Sequence, residues 1–171
     1  MPFRTALTLL PSSWPGVSVA DASRLEDTSA LGVYIHWPFC SAICPYCDFN
    51  VHPVRDMQAA DWRAGYFLAL EHAQTMRADG PVETVFFGGG TPSLMPPELV
   101  GDLLADIDRR WGLAADAEIS LEANPVSAPE ARLQNLKAAG INRLSLGAQA
   151  FDAPALKFLG RTHSLEQAED A

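Results

Sequence analysis

The chain has 171 residues, 48% hydrophobic and 19% charged, enough to bury the core of about one domain and too apolar for wholesale disorder. Lys and Arg number 12 against 21 Asp and Glu, a net charge of −9, the wrong sign for gripping a nucleic-acid backbone. No window reaches the roughly 18 consecutive apolar residues of a membrane-spanning helix.

Residues 1–31 read as a flexible leader rich in Ser, Pro and Ala. Its apolar run from Thr5 to Leu10 stops at Pro11, shorter than the about 7–15 residues of a secretory signal, so no targeting function is assigned to it. From residue 32 the chain alternates between two kinds of segment. Residues 32–37 are β-branched and aromatic and end at Pro38, which predicts a strand. After the cysteines and Pro53, residues 57–78 predict a long helix, with Trp62, Tyr66, Leu70 and Ala73 at helical spacing. Residues 82–87 predict a second strand, running into Gly88-Gly89-Gly90-Thr91-Pro92.

Pro96 and Pro97 open a second helix through Arg110, with Leu99, Leu103, Ile107 and Trp111 on one face. Residues 118–122 predict a third strand, ended by Asn124-Pro125. Ser127 reads as an N-cap with Glu130 at the third helical position, and Gly140 closes the helix it starts. Residues 143–147 predict a fourth strand, Asp152 a cap for a short helix, and Ser164 a cap for another.

Four strands separated by helices predict an α/β fold with a parallel sheet, either part of a (β/α) barrel or a doubly wound sheet with phosphate on the glycine loop. About four β/α units are present, whereas a closed eight-unit barrel takes about 250 residues, so a partial barrel over residues 32–171 is expected from a fragment or a split form. Every unusual residue falls in a loop that follows a strand, the edge that carries chemistry in barrels.

Cys40, Cys44 and Cys47 are the chain's three cysteines and lie within eight residues. Clustered thiols with none elsewhere indicate a metal site in a reducing compartment, and hence a cytoplasmic location. Three thiolates on one loop can hold three corners of a four-iron cube and leave the fourth iron open. A zinc loop is the alternative, with His36, Asp48 or His52 as the fourth ligand. His36 also fits a hydrogen-bonded strand histidine. The glycine run, taken alone, fits a tight turn or a phosphate cradle as well as a cofactor site.

The Cys-x3-Cys-x2-Cys spacing with Tyr46 before the third cysteine resembles the cluster loop of the radical S-adenosylmethionine (SAM) superfamily. The strings Tyr34-Ile35-His36-Trp37-Pro38-Phe39-Cys40 and Cys44-Pro45-Tyr46-Cys47-Asp48-Phe49 are more specific. So are Phe86-Phe87-Gly88-Gly89-Gly90-Thr91-Pro92, Leu121-Glu122-Ala123-Asn124-Pro125 and Leu144-Ser145-Leu146-Gly147-Ala148-Gln149. Together, over about residues 32–165, they resemble the oxygen-independent coproporphyrinogen III oxidase branch and, within it, the haem chaperone (HemW) type.

That resemblance implies a [4Fe-4S] cluster on Cys40, Cys44 and Cys47, with SAM chelating the open iron through its amino and carboxylate groups. It implies cofactor contacts from Tyr34, from the loop residues Gly89, Gly90 and Thr91, and from Glu122, Gln149 and Arg161. Glu122 suits an amino group or ribose hydroxyls, Gln149 offers donor and acceptor, and Arg161 suits the methionine carboxylate. Tyr34 as a packed strand residue and Arg161 as a solvated arginine are the plain alternatives.

The oxidases of this branch carry a further cysteine two residues after the third, whereas here the sequence reads Cys47-Asp48-Phe49. The resemblance therefore implies a protein that binds haem and delivers it to acceptor proteins, with a possible homodimer and no established decarboxylase activity. The haem-binding segment of that type is expected beyond residue 171, and no Cys-x-x-Cys-His haem-attachment motif is present. A radical oxidoreductase acting on coproporphyrinogen III or another substrate, and a zinc-binding module, remain the competing functions.

Overall fold

In the computed structural model, residues 31–54, 59–76, 80–127 and 129–170 are described. The expected leader lies outside them except for Leu31, which already belongs to the first strand. That strand, β1 (Leu31–Trp37), is a β-branched and aromatic run whose Ile35 and Trp37 are fully buried. Two short strands follow, β2 (Phe39–Cys40) and β3 (His52–Pro53), paired in parallel. Nothing in the sequence pattern announces a ladder of two residues a side.

Helix α1 (Ala59–Met76) buries Tyr66, Leu70 and Ala73 and packs the half-buried Trp62 on the core, as its spacing predicts. Strand β4 (Val82–Gly89) runs into a 3-10 turn at Pro92–Leu94, and helix α2 (Pro97–Trp111) follows. Helix α2 buries Leu99, Leu103 and Ile107, with Trp111 packed at the edge of the same cluster.

Strand β5 (Leu113–Ala123) starts five residues before the predicted strand. Leu113 pairs with Val82, and the Asp108 carboxylate accepts its N–H at 2.8 Å. This early stretch, rich in Ala, has no strand signature; Leu113 is paired with Val82, and the register shifts before Glu118 meets Thr84.

The third predicted helix is displaced as well. Ser127 belongs to a 3-10 turn (Pro125–Ser127), and α3 (Glu130–Ala138) takes Pro129 as its N-cap. Proline disfavours helical conformation in the residue that precedes it, so the helix starts after Pro129 rather than directly after Ser127. The Ser127 hydroxyl instead donates to the Asn124 carbonyl at 2.9 Å. Gly140, at φ 116°, ends the helix as expected.

Strand β6 (Arg143–Leu146) completes the sheet. Helix α4 (Ala153–Phe158) is capped by Asp152, which accepts the Ala155 N–H at 2.9 Å. Ser164 and Gln167 form a reciprocal cap for α5 (Leu165–Asp170).

The four long strands lie in the order β1-β4-β5-β6, all parallel. Each crossover moves one place in the same direction, so the order never reverses as it does in a doubly wound sheet. The result is a partial (β/α) barrel. Its core lies between the sheet residues Ile35, Val85, Phe87 and Leu121 and the helix residues Leu70, Leu103, Ile107 and Leu136. The parallel pairing brings all four C-terminal strand ends to one edge.

Candidate functional site

At that edge lies a cavity of about 610 Å³, walled by the loops that follow β1, β4, β5 and β6. The cysteine loop forms one wall, with Cys40, Cys44 and Cys47 all lining the cavity. All three are free; Cys40 is buried and the other two half-buried. Backbone bonds pin the loop at its base. The β2–β3 ladder joins its two ends, and His52 N–H donates to the Pro38 carbonyl at 2.6 Å. Inside the loop, Cys47 N–H closes a turn on the Cys44 carbonyl at 3.0 Å.

The glycine run continues this ladder. Gly90 N–H donates to Trp37 O at 2.6 Å and Thr91 N–H to Phe39 O at 2.9 Å. The absent side chains have a local reason. A Cβ on Gly88 would lie 2.8 Å from the Tyr34 ring, and one on Gly89 would lie 2.6 Å from the His36 ring. On Gly90 it would meet Phe39 O at 2.8 Å and the Cys40 sulfur at 3.0 Å. The glycines thus let the cysteine strand lie flat against β4, which also exposes the backbone of Gly89 and Gly90 in the cavity wall.

Burial pushes the Cys40 thiol up, and repulsion from Cys47 and Cys44 adds to this, against a lowering hydrogen bond with the buried Thr91. As metal ligands the three cysteines act as thiolates, a form that a bound cation would favour in this wall. Three cysteines ringing one cavity fit separate irons of a cube.

Across the cavity stand the other expected contacts. Glu122, at the end of β5, accepts the Gly89 N–H at 3.1 Å. Its carboxyl is raised by burial, against the lowering effect of that bond and of His36. Arg161 ties two walls together: Nη1 lies 3.3 Å from the Cys44 sulfur and 3.4 Å from the Tyr46 hydroxyl, while Nη2 donates to Gly147 O at 2.8 Å. Its buried Nε has no partner among the described residues, an unspent donor beside the cavity. Gln149 lines the cavity from the loop after β6, with a left-handed φ of 68°.

Tyr34 is not brought to the cavity wall. It stacks on Phe86, and its hydroxyl lies 3.4 Å from His36 Nδ1. His36 Nε2–H donates to the Asn50 carbonyl at 3.1 Å, tying the far end of the cysteine loop to β1. The Tyr66 hydroxyl, from α1, donates to the His36 carbonyl at 2.7 Å. Sequence reasoning missed Phe151 as a lining residue and His163 as a buried one. Neither carries a spacing signal, since both are placed by the fold alone.

The architecture and the cysteine loop together define a class, and comparison with known proteins agrees. Residues 34–171 match the radical SAM superfamily, and the chain belongs to it. Within the superfamily it is similar to proteins of two kinds, the haem chaperone HemW and the coproporphyrinogen III oxidase HemN. It is 46% identical over 148 residues to the mitochondrial "Radical S-adenosyl methionine domain-containing protein 1" of Bos taurus, covering 85% of this chain and 33% of that protein. It is 42% identical over 142 residues to "Heme chaperone HemW" of Escherichia coli, covering 82% and 38%. The solved structure of coproporphyrinogen III oxidase (HemN) from Escherichia coli superposes with a TM-score of 0.64 at 28% identity, covering 84% of this chain and 35% of that one. The chain thus spans about a third of the length of these curated relatives. The family implies a [4Fe-4S] cluster and SAM. Among the described residues no helix is long and apolar enough to cross a membrane.

Proposed function

We propose that this segment builds the [4Fe-4S] and SAM site of a haem chaperone-like protein, which binds haem and hands it to acceptor proteins. The observation that carries the reading is the meeting of three free thiols, a side-chain-free glycine wall and Glu122, Gln149 and Arg161 around one cavity. In this reading Cys40, Cys44 and Cys47 hold three irons. When bound, the pair supplies one-electron chemistry at a sulfonium.

The chain's own residues bind and orient. Glu122 accepts from an amino group or ribose hydroxyls with the lone pairs that Gly89 leaves free, and Gln149 offers one donor and one acceptor. The guanidinium of Arg161, at the cavity wall, provides a charged donor for a carboxylate. Gly89, Gly90 and Thr91 shape the wall against the methionine end, and Tyr34 supports it from behind through His36 and Gly88. Haem binding and delivery rest on the likeness to the haem chaperones.

A second reading, a radical oxidoreductase on coproporphyrinogen III, is favoured by the likeness to the solved oxidase. Against it, Asp48 and Phe49 follow Cys47 where the oxidases carry another cysteine. The test uses the full-length protein with its cluster reconstituted anaerobically. A saturable haem-dependent Soret change, with transfer to an apo-acceptor, is expected. Substrate-dependent 5′-deoxyadenosine together with protoporphyrinogen, formed from coproporphyrinogen III, would instead establish the oxidase.

A further inference from the structure

The loop after β6 holds a strained residue, and something must hold it there. Gln149 has a left-handed φ of 68°, the only described residue other than glycine with a positive φ. Ala150 N–H donates back to Ala148 O at 2.9 Å, which closes a three-residue γ-turn on Gln149. Such turns with a positive central φ are rare and strained, and in a chain without glycine at that place they persist only when the surroundings over-determine them.

The surroundings are two side chains from one short segment. Arg161 Nη2 takes the Gly147 carbonyl, and His163 Nε2 lies 3.0 Å from the Ala148 carbonyl. Ala148 O is therefore held from two directions, by the Ala150 amide and by the imidazole. His163 is 5% exposed, and its Nδ1 is buried with no partner among the described residues. The turn folds the Gln149 side chain back over Gly147, where a Cβ would lie 3.1 Å from the Gln149 Nε2. Gly147 is thus bare where the amide passes.

We infer that His163 is a positioning residue for Gln149: as the neutral Nε2–H tautomer it holds the Ala148 carbonyl, and so the turn that aims the Gln149 amide into the cavity. The tautomer follows from the partner, because a carbonyl oxygen only accepts and Nε2 must carry the proton. Burial disfavours the imidazolium, against the opposing effect of the bond to the Ala148 carbonyl and with a smaller push from the neighbouring Arg161 charge. An unpaired buried nitrogen is a cost that apolar side chains of similar size avoid, so its retention points to the work done by the other nitrogen. That the cavity takes SAM belongs to the proposed function; that His163 sets the turn stands on geometry alone.

Two measurements separate these claims. On the full chain without cofactor, the ring nitrogen shifts of His163 report its tautomer, and the one-bond Cα–Hα coupling at Gln149 reports the sign of φ. A neutral Nε2–H ring and a positive φ are expected in the natural chain. His163→Gln, whose amide nitrogen reaches the Nε2 position, keeps φ positive, and His163→Ala lets it turn negative. A cationic or Nδ1–H ring, or a positive φ surviving in His163→Ala, overturns the inference.

On the cluster-loaded full chain, SAM binding is then measured by equilibrium dialysis. His163→Ala weakens it roughly tenfold, the low end of what losing a supporting partner costs, with the cluster absorbance unchanged. His163→Gln restores affinity. In a Gln149→Gly background, where glycine holds the turn unaided, His163→Ala has no further effect. An undiminished further loss in that background contradicts the inference. If the couplings behave as expected and no variant binds SAM, the positioning role stands and the reading of the cavity falls.

Discussion

The cysteine loop and the loop after β6 face each other across one cavity and differ in what holds them. The first rests on backbone ladders with side-chain ties from His36 to Asn50 O and from Arg161 to Cys44, whereas the second leans more on side chains. In the first, β2 pairs with β3, His52 bonds Pro38, and Gly90 and Thr91 extend the ladder along Trp37 and Phe39. The second has backbone bonds of its own, from Gly147 N–H to Ala123 O and from Ala150 N–H to Ala148 O, and adds side chains that arrive from later in the chain, Arg161 on Gly147 O and His163 on Ala148 O. Backbone ladders tolerate most side-chain changes, whereas a side-chain clamp fails with one substitution. A wall that must hold three thiolates in register is built the first way, and a wall that presents one polar amide is built the second.

The largest expected effect lies in the first wall. Cys44→Ala removes one of three ligands, and the iron bound per chain after anaerobic reconstitution falls from about four to near zero. The fold survives, because Cys44 makes no ladder bond. A far-ultraviolet circular dichroism spectrum like that of the natural chain checks this.

Next comes the glycine seam. Gly90→Ala drives a methyl to 2.8 Å from Phe39 O, backbone that has no rotamer with which to yield. We expect a loss of about 1–3 kcal/mol, read as a lower denaturation midpoint at unchanged slope.

The contrast itself is tested by Arg161→Met. Gly147 O loses its partner, at a cost of about 1 kcal/mol, and amide exchange quickens at residues 147–150. Exchange at Phe39, Cys40 and His52 stays slow if the cysteine loop is held by its own backbone. Equal acceleration in both loops breaks the comparison.

The smallest effect belongs to Glu122. Burial raises its carboxyl, so the folded chain binds the proton more tightly than the unfolded one. Its contribution is most favourable at acid pH and is lost as pH rises through the raised value. Glu122→Gln keeps an oxygen for the Gly89 N–H and removes the charge. At neutral pH it should be more stable than the natural chain by under about 1 kcal/mol, since the half-exposed carboxylate is partly screened. Denaturation midpoints at pH 7 and pH 4 check the sign: the gap narrows on acidification. A gap that widens instead contradicts the assignment.

The sequence made the four long strands, their parallel order and the loop-borne chemistry readable, because each rests on a local pattern: the apolar runs of β1 and β4, the helical spacing of Tyr66 and Leu70, the compact cysteine motif. What escaped it depends on partners far along the chain. The early start of β5 shows only in its pairing, where Val82 lies beside Leu113 ahead of a register shift. Ser127 is no helix cap: its hydroxyl meets that of Ser93, 34 residues upstream, and the helix starts only after Pro129. The glycine run reads as room for a ligand, yet its bare faces are first filled by Tyr34, His36 and Phe39. His163 carries no motif, and its place is set by a carbonyl 15 residues upstream.

The central claim, that these three thiols hold an iron–sulfur cube with one iron left for SAM, is tested most directly by anaerobic reconstitution of the full chain. Metal and sulfide analysis should give about four irons and four sulfides per chain. The paramagnetic spectrum of the reduced cluster should then shift when SAM is added. One zinc per chain with no uptake of iron would contradict the account.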